Sequence, residues 1–263
     1  MMIDTHAHLN FEAFSADRED VIRRTLQGKM QIINASSNYK TSVLAVEMQK
    51  KGVFASVGLH PINIKQTVID QTNRPEDVLE EIFDYKKYKE LAKRAIAIGE
   101  IGLDYLRKPE DNNHLSLFKK KQKDIFLQQL NLAKELNYPI ILHCRKAHDE
   151  MIEILKSFKL KGVVHCFTGN MKQAKEYLSL GFYLGFNGII FKLNVDGIIQ
   201  KIPLERILLE TDCPFLSPPQ VSRERNEPLN IKYIAERISE LRKEPLEKIK
   251  KITTQNAKEL FSL

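Results

Sequence analysis

Six residues of metal-ligand type lie far apart in the chain: His6 and His8, Glu100, His143, His165 and Asp212. Each closes or follows a short apolar run, which is where an array of parallel strands presents its reactive groups. In His6-Ala7-His8 the histidines are two residues apart. On an extended segment both then point the same way and can grip one cation, with Ala7 turned outward. Glu100 sits in Ile98-Gly99-Glu100-Ile101-Gly102-Leu103-Asp104; its carboxylate has two oxygens and can bridge two cations, which an imidazole does not do. Asp212, in Leu209-Glu210-Thr211-Asp212-Cys213-Pro214, has the chemistry to bind a cation and take a proton from water. Glu210, two residues back, shares its face and would orient the His6/His8 cluster from behind. Taken singly, each has a plainer role: strand-end hydrogen bonding for the histidines, capping for Glu100, a turn for Asp212. Together, four histidines and two carboxylates exceed the closed set of a structural zinc and are too many for one catalytic ion. A pair of divalent cations ~3.5–4 Å apart fits better, and such a pair does hydrolytic chemistry at a phosphoryl or acyl centre.

The elements that must position these groups alternate along the chain. Apolar runs predict strands over Met2–His6, Met30–Ala35, Val53–Val57, Ala95–Gly99, Tyr138–His143, Gly162–His165, Phe182–Gly185 and Arg206–Glu210. Between and after them, apolar residues at three- and four-residue intervals predict helices near Asp17–Gln27, Tyr39–Lys50, Pro75–Lys93, His114–Leu136, Ala147–Ser157, Met171–Leu180, Val195–Lys201, Ile231–Arg242 and Pro245–Phe261. Runs such as Pro139-Ile140-Ile141-Leu142 are apolar throughout, as strands buried on both faces are. Eight β/α units predict a (β/α)8 TIM barrel, class α/β, with the metal site at the carboxyl ends of the strands; an open doubly wound sheet is the rival. Pro214, Pro218 and Pro219 forbid a helix directly after the last strand. No linker or repeat divides residues 1–263, so one domain is expected.

With 43% hydrophobic and 29% charged residues, disorder is excluded. The net charge of +7 favours polyanionic partners, nucleic acid among them. No run approaches the ~18–20 apolar residues of a membrane span, and Asp4, His6 and His8 interrupt any secretory apolar core. Cys144, Cys166 and Cys213 form no CxxC pair, which points to a reducing, cytoplasmic setting. Each directly follows a proposed ligand, so strand alternation predicts sulfurs turned away from the cations and buried under the helices. A monomer is compatible with the pattern.

Together, Asp4-Thr5-His6-Ala7-His8, Gly99-Glu100-Ile101-Gly102-Leu103-Asp104-Tyr105, Leu142-His143-Cys144-Arg145, His165-Cys166-Phe167-Thr168-Gly169 and Glu210-Thr211-Asp212-Cys213-Pro214 resemble the TatD family of metal-dependent deoxyribonucleases, in order and spacing from residue 3 to the C-terminal helices. Val57-Gly58-Leu59-His60-Pro61 and Arg225-Asn226-Glu227-Pro228 are also similar to family segments. The resemblance implies an amidohydrolase-type barrel with His6, His8 and Asp212 on one divalent ion, His143 and His165 on another, and Glu100 shared. It implies hydrolysis of DNA phosphodiesters, often from a 3′ end, with Mg²⁺, Mn²⁺ or Zn²⁺. His60, Arg145 and Arg225 are the expected substrate contacts, Arg145 because a guanidinium can bond two phosphate oxygens. The stretch Val221-Ser222-Arg223-Glu224 departs from the family's usual Arg-Gly-Lys-type sequence. The alternatives are a hydrolase of small phosphoesters, lactones or amides or of the ester of aminoacyl-tRNA, and a nucleic-acid-binding or scaffold protein whose metal serves structure. The ligand surplus counts against the last of these.

Overall fold

Eight apolar runs form strands: β1 Met2–Ala7, β2 Met30–Asn34, β3 Val53–Val57, β4 Ala97–Asp104, β5 Ile140–Arg145, β6 Gly162–Val164, β7 Tyr183–Phe186 and β8 Ile207–Leu209. In this computed structural model, which describes residues 1–64, 81–106, 108–221 and 225–263, they pair in parallel and in sequence order. The exit of β8 returns to β1: Asp212 N–H donates to His6 O at 2.8 Å and His8 N–H to Cys213 O at 2.9 Å. The helices are α1 Arg18–Gln27, α2 Tyr39–Glu47, α3 Tyr85–Ala92, α4 Asn112–Leu136, α5 His148–Leu155, α6 Met171–Ser179, α7 Asp196–Lys201, α8 Ile231–Arg242 and α9 Leu246–Phe261. Two of them start at asparagine capping boxes, Asn38 on α2 and Asn170 on α6, which satisfy amides the first turn leaves open. The architecture is the eight-fold barrel expected, nearly closed, with helices between the strands.

One residue from every strand meets at the floor of the barrel: Ile3, Ile33, Ala97, Ile141, Val163, Tyr183 and Leu208, with Phe54 packed beside them. Ala257, Leu260 and Phe261 of α9 join the same cluster, so the last helix seals the amino end of the barrel. The larger apolar cluster fills the space between strands and helices.

Three sequence expectations are corrected. Strand β4 runs on past Gly99 to Asp104 because Gly102, at φ +147°, lets it lie against β5, where a Cβ would fall 2.0 Å from His143 O. The helix expected over Pro75–Lys93 begins only at Tyr85, where Asp84 accepts from Lys86 N–H and Lys87 N–H; residues 75–80 lie outside the described residues. Helix α2 stops at Glu47 because Lys50 turns back to bridge Val53.

Candidate metal centre

Plain alternation from the floor would send His6 and Glu100 outward, since Ile3 and Ala97 point inward three residues earlier. Two bulges prevent this. The β1/β2 register shifts between Asp4 and Ala7, and the β4/β5 register shifts between Ile98 and Ile101, so each strand gains one residue just before its ligand-type side chain. The other inward residues keep simple two-residue steps: Ile141 to His143, Val163 to His165, and Leu208 through Glu210 to Asp212.

At the carboxyl ends of the strands these groups converge. Glu100 Oε2 lies 3.3 Å from His6 Nε2 and 3.9 Å from His8 Nε2. Its other oxygen, Oε1, lies 2.8 Å from His143 Nδ1, 3.4 Å from His60 Nε2 and 3.6 Å from His165 Nε2. Asp212 Oδ1 lies 3.2 Å from His8 Nε2, 3.8 Å from His6 Nε2 and 4.0 Å from His165 Nε2. The structure thus brings His6, His8, Glu100, His143, His165 and Asp212 into one cluster. The rings of His6 and His165 stack at 3.6 Å, closer than His165 lies to His143 at 6.4 Å. Among the described residues, three overlapping trios could hold a cation: His6 with His8 and Glu100, His6 with His165 and Asp212, and His60 with Glu100 and His143.

The surrounding groups fix these orientations. His8 Nδ1–H donates to Ala35 O at 3.0 Å, which leaves the Nε2 lone pair facing the cluster. Asp4 binds both sides of the barrel seam, accepting from Thr211 Oγ1 at 2.5 Å, Thr211 N–H at 2.9 Å and His6 N–H at 3.2 Å. Burial pushes the Asp4 carboxyl up to about 7, against the hydrogen bonds from Thr211. Glu210 lies beside His165 rather than behind His6 and His8: its Oε1 stands 2.9 Å from His165 Nδ1 and accepts from Cys166 N–H and Asn187 Nδ2. Only a glycine leaves room for it, because a Cβ on Gly185 would stand 2.3 Å from Glu210 Oε2. Gly185→Ala is therefore expected to displace Glu210 and to weaken cation binding by ~10–100-fold, the usual cost of losing a group that orients a ligand. Equilibrium dialysis checks it, and unchanged affinity would show that Glu210 does not position His165.

Burial works against the ionised form of Glu100, but the histidines His60, His6, His165 and His143 outweigh it and hold the carboxyl well below its usual range. Asp212 is likewise held down, despite burial, chiefly by His165 and His8. Burial would lower His143 and His165, yet Asp104 and Glu100 keep His143 up at about 9, and Glu210, Asp212 and Glu100 keep His165 up at about 10. Burial, with neighbouring imidazoles, lowers His6 and His60. Among the described residues no lysine or arginine pairs with Glu100 or Asp212. Ionised carboxylates ringed by imidazole nitrogens, with no lysine or arginine to neutralise them, are a donor set that fits divalent metal.

The cluster forms the base of a cavity of about 1160 Å³. His60 and Arg145 line it, Arg145 exposed at the end of β5. Arg225 is not among the described lining residues. Its guanidinium is committed to Asp17 at 2.6 and 2.8 Å and to Glu227 at 3.1 Å, and lies over the Phe14 ring, so it braces the loop after β8 against the segment before α1. Cys144 and Cys213 are buried as expected. Cys166 is not: strand β6 ends at Val164, Cys166 takes φ +46°, and its residue lines the cavity with Sγ 3.5 Å from Asn187 Oδ1. Residues 222–224, where the sequence departs from the family pattern, lie outside the described residues. Sequence reasoning missed Asp104, whose Oδ2 lies 3.0 Å from His143 Nε2. Its signal was the two-residue spacing from Glu100 through Gly102, visible only if β4 is carried past Gly99.

Comparisons with known proteins follow the same lines. The family described as TatD related DNase matches residues 3–262. An uncharacterized metal-dependent hydrolase, YabD of Bacillus subtilis, is 38% identical over 100% of both chains. A Shigella flexneri protein named 3′-5′ ssDNA/RNA exonuclease TatD is 31% identical over 100% of this chain and 99% of its own. The crystal structure of YjjV, a TatD homologue from Escherichia coli, superposes with a TM-score of 0.81 at 28% identity, covering 100% of this chain and 98% of that one. A likeness that runs the length of the chain, in sequence as in barrel architecture, makes this protein a member of the TatD family of metal-dependent hydrolases.

Proposed function

We propose that the chain is a two-cation deoxyribonuclease that removes nucleotides from the 3′ end of single-stranded DNA in the cytoplasm. The observation that carries the two-cation reading is the division of Glu100: one oxygen faces His6 and His8, the other faces His143, His60 and His165. His6, His8 and Asp212 would hold one divalent ion, His143 and His165 the other, with Glu100 shared. Bound Mg²⁺, Mn²⁺ or Zn²⁺ would supply Lewis acidity at the scissile phosphate and make water nucleophilic near neutral pH. Asp212, ionised beside His8, accepts the proton of the attacking water. Arg145 holds non-bridging oxygens of the phosphate, and His60 stands on the opposite side of Glu100 to do the same. Glu210 keeps His165 in place. The exonuclease reading draws on the positive charge of the chain, on a cavity larger than most small-molecule pockets, and on the name of the Shigella relative. Three free cysteines fit the cytoplasm, and among the described residues no helix is long and apolar enough to cross a membrane.

The test is release of nucleotide from a 3′-labelled single strand with added Mg²⁺ or Mn²⁺. Metal-dependent release that Asp212→Ala abolishes supports the reading. No release, or equal release by the variant, overturns it, and a far higher kcat/KM on lactones, amides or aminoacyl-tRNA would favour the small-ester alternative.

Cation loading is also expected to expel protons. In the metal-free chain His143 and His165 stay protonated up to about pH 9 and 10. Their pairing with carboxylates stabilises that state fully below the free imidazole pKa of ~6.5 and progressively less as pH rises through the folded values. A cation replaces those protons, so binding at pH 7.5 should release roughly two, with apparent affinity rising up to ~100-fold per pH unit. Calorimetry in buffers of different ionisation enthalpy reads the number. Release of none would mean that neither histidine is displaced.

A further inference from the structure

The mouth of the cavity is divided by chemistry. Loops after β1, β7 and β8 contribute Phe11, Leu193 and Phe215 to its lining, while the far side carries Lys119, Arg145 and Lys146 from the β5 exit and α4, with Tyr105, Leu106 and the first-turn acids of α5, Asp149 and Glu150, among them. Strands run around the barrel in sequence order, which places the β8–β1 exits across the cation cluster from those of β4 and β5. Phe215 stands out on the apolar side. It is 53% exposed, the one phenylalanine among the described residues left open to water. Its backbone is nevertheless pinned: Phe215 N–H donates to Asp212 O at 2.9 Å, and Phe215 O accepts from Asn226 Nδ2 at 2.7 Å. Its ring lies 6.4 Å from Phe11, at 70° to it, and Phe11 stacks on His8 at 4.3 Å. The exposed ring is therefore held at a fixed offset from the ligand cluster, and ordering it on binding costs little.

Resting on the exonuclease reading of this site, we infer that Phe215, backed by Phe11, is the stacking platform for the 3′-terminal nucleobase. The scissile phosphate then lies over the cation cluster, and the phosphates of the strand leading away cross to Lys119, Arg145 and Lys146. The assignment of ends follows from where the lysine and arginine side chains stand. The apolar side offers no lysine or arginine among the described lining residues, so it takes the end of the chain that brings a base and sugar. The side that holds Lys119, Arg145 and Lys146 takes the continuing run of phosphodiesters. A phenyl face binds any base by its π surface and reads no hydrogen-bonding edge, so the enzyme is tolerant of terminal sequence yet demands that a base be present.

The experiment compares oligonucleotides ending in an ordinary 3′ nucleoside with the same strands ending in an abasic sugar, cleaved by wild type, Phe215→Ala and Phe215→Trp. Wild type should lose roughly 10- to 100-fold in kcat/KM on the abasic end. Phe215→Ala should lose a similar factor on the ordinary end and nothing further on the abasic one, while Phe215→Trp keeps the wild-type preference. Equal cleavage of the two ends by wild type, or the same loss by Phe215→Ala on both, overturns the platform and leaves the exonuclease reading standing. Release from neither end by metal-loaded wild type removes that reading and the platform with it.

Discussion

Asp212→Asn is expected to lower kcat for nucleotide release by ~10²–10⁴-fold, the range for removing a positioned general base. Asparagine is the informative choice because residue 212 sits at φ +57°, a left-handed conformation that Asp and Asn adopt more readily than other side-chain-bearing residues. It keeps the backbone bond to His6 O and the shape near His8, so a drop in rate with an unchanged melting curve reports lost carboxylate chemistry. An amide takes no proton, and as a neutral ligand it holds a cation more weakly, so KM for added Mn²⁺ should rise as kcat falls. A variant with wild-type kcat at saturating Mn²⁺ would take the proton-accepting role away from Asp212.

The second large effect is expected at Glu100. Glu100→Gln preserves volume at a site 3% exposed but removes the charge that faces both histidine sets. Elemental analysis after dialysis should fall from roughly two divalent ions per chain to one or fewer, and kcat/KM should fall by at least ~100-fold. The two readouts must move together. Two retained ions in the variant would mean that Glu100 does not bridge, whatever happened to the rate. In the metal-free protein His143 would also lose one of the carboxylates that keep its proton, so its pKa should drop from about 9, visible in the titration of its ring signals.

The barrel, and the gathering of the six candidate groups at one end of it, were legible because apolar runs and metal-type residues recur together, and parallel strands gather their ends. His6 and His8 do share a face, as their spacing suggests, with Ala7 and Leu9 buried on the other. What spacing does not reveal is which face, and in β1 and β4 an extra residue decides that. Such a bulge arises from pairing with the next strand, so it leaves no local trace in composition. Asp104 was hidden for a related reason: two glycines in Gly99-Glu100-Ile101-Gly102 look like a strand end, whereas here Gly102 permits close approach to β5. Cys166 defied alternation because its strand had already stopped. Arg225 is expected at the phosphate only through the similarity of its segment to the family, and the fold shows Asp17, more than two hundred residues earlier, already holding it. The asparagine and glycine that seat Glu210, Asn187 and Gly185, had no signal of their own in the sequence.

Those two bulges give the molecule two independent phases. Below them the strands obey one alternation, which α9 and the floor residues lock; above them β1 and β4 obey the opposite one, and only there do the candidate metal-binding groups stand. A one-residue deletion inside either bulge would carry the lower phase upward, turning an imidazole pair or a carboxylate toward the helices while the sealed floor stays as it is. The cation-facing end of the barrel can therefore change phase separately from the floor, although an imidazole or carboxylate turned into the apolar layer would cost stability there.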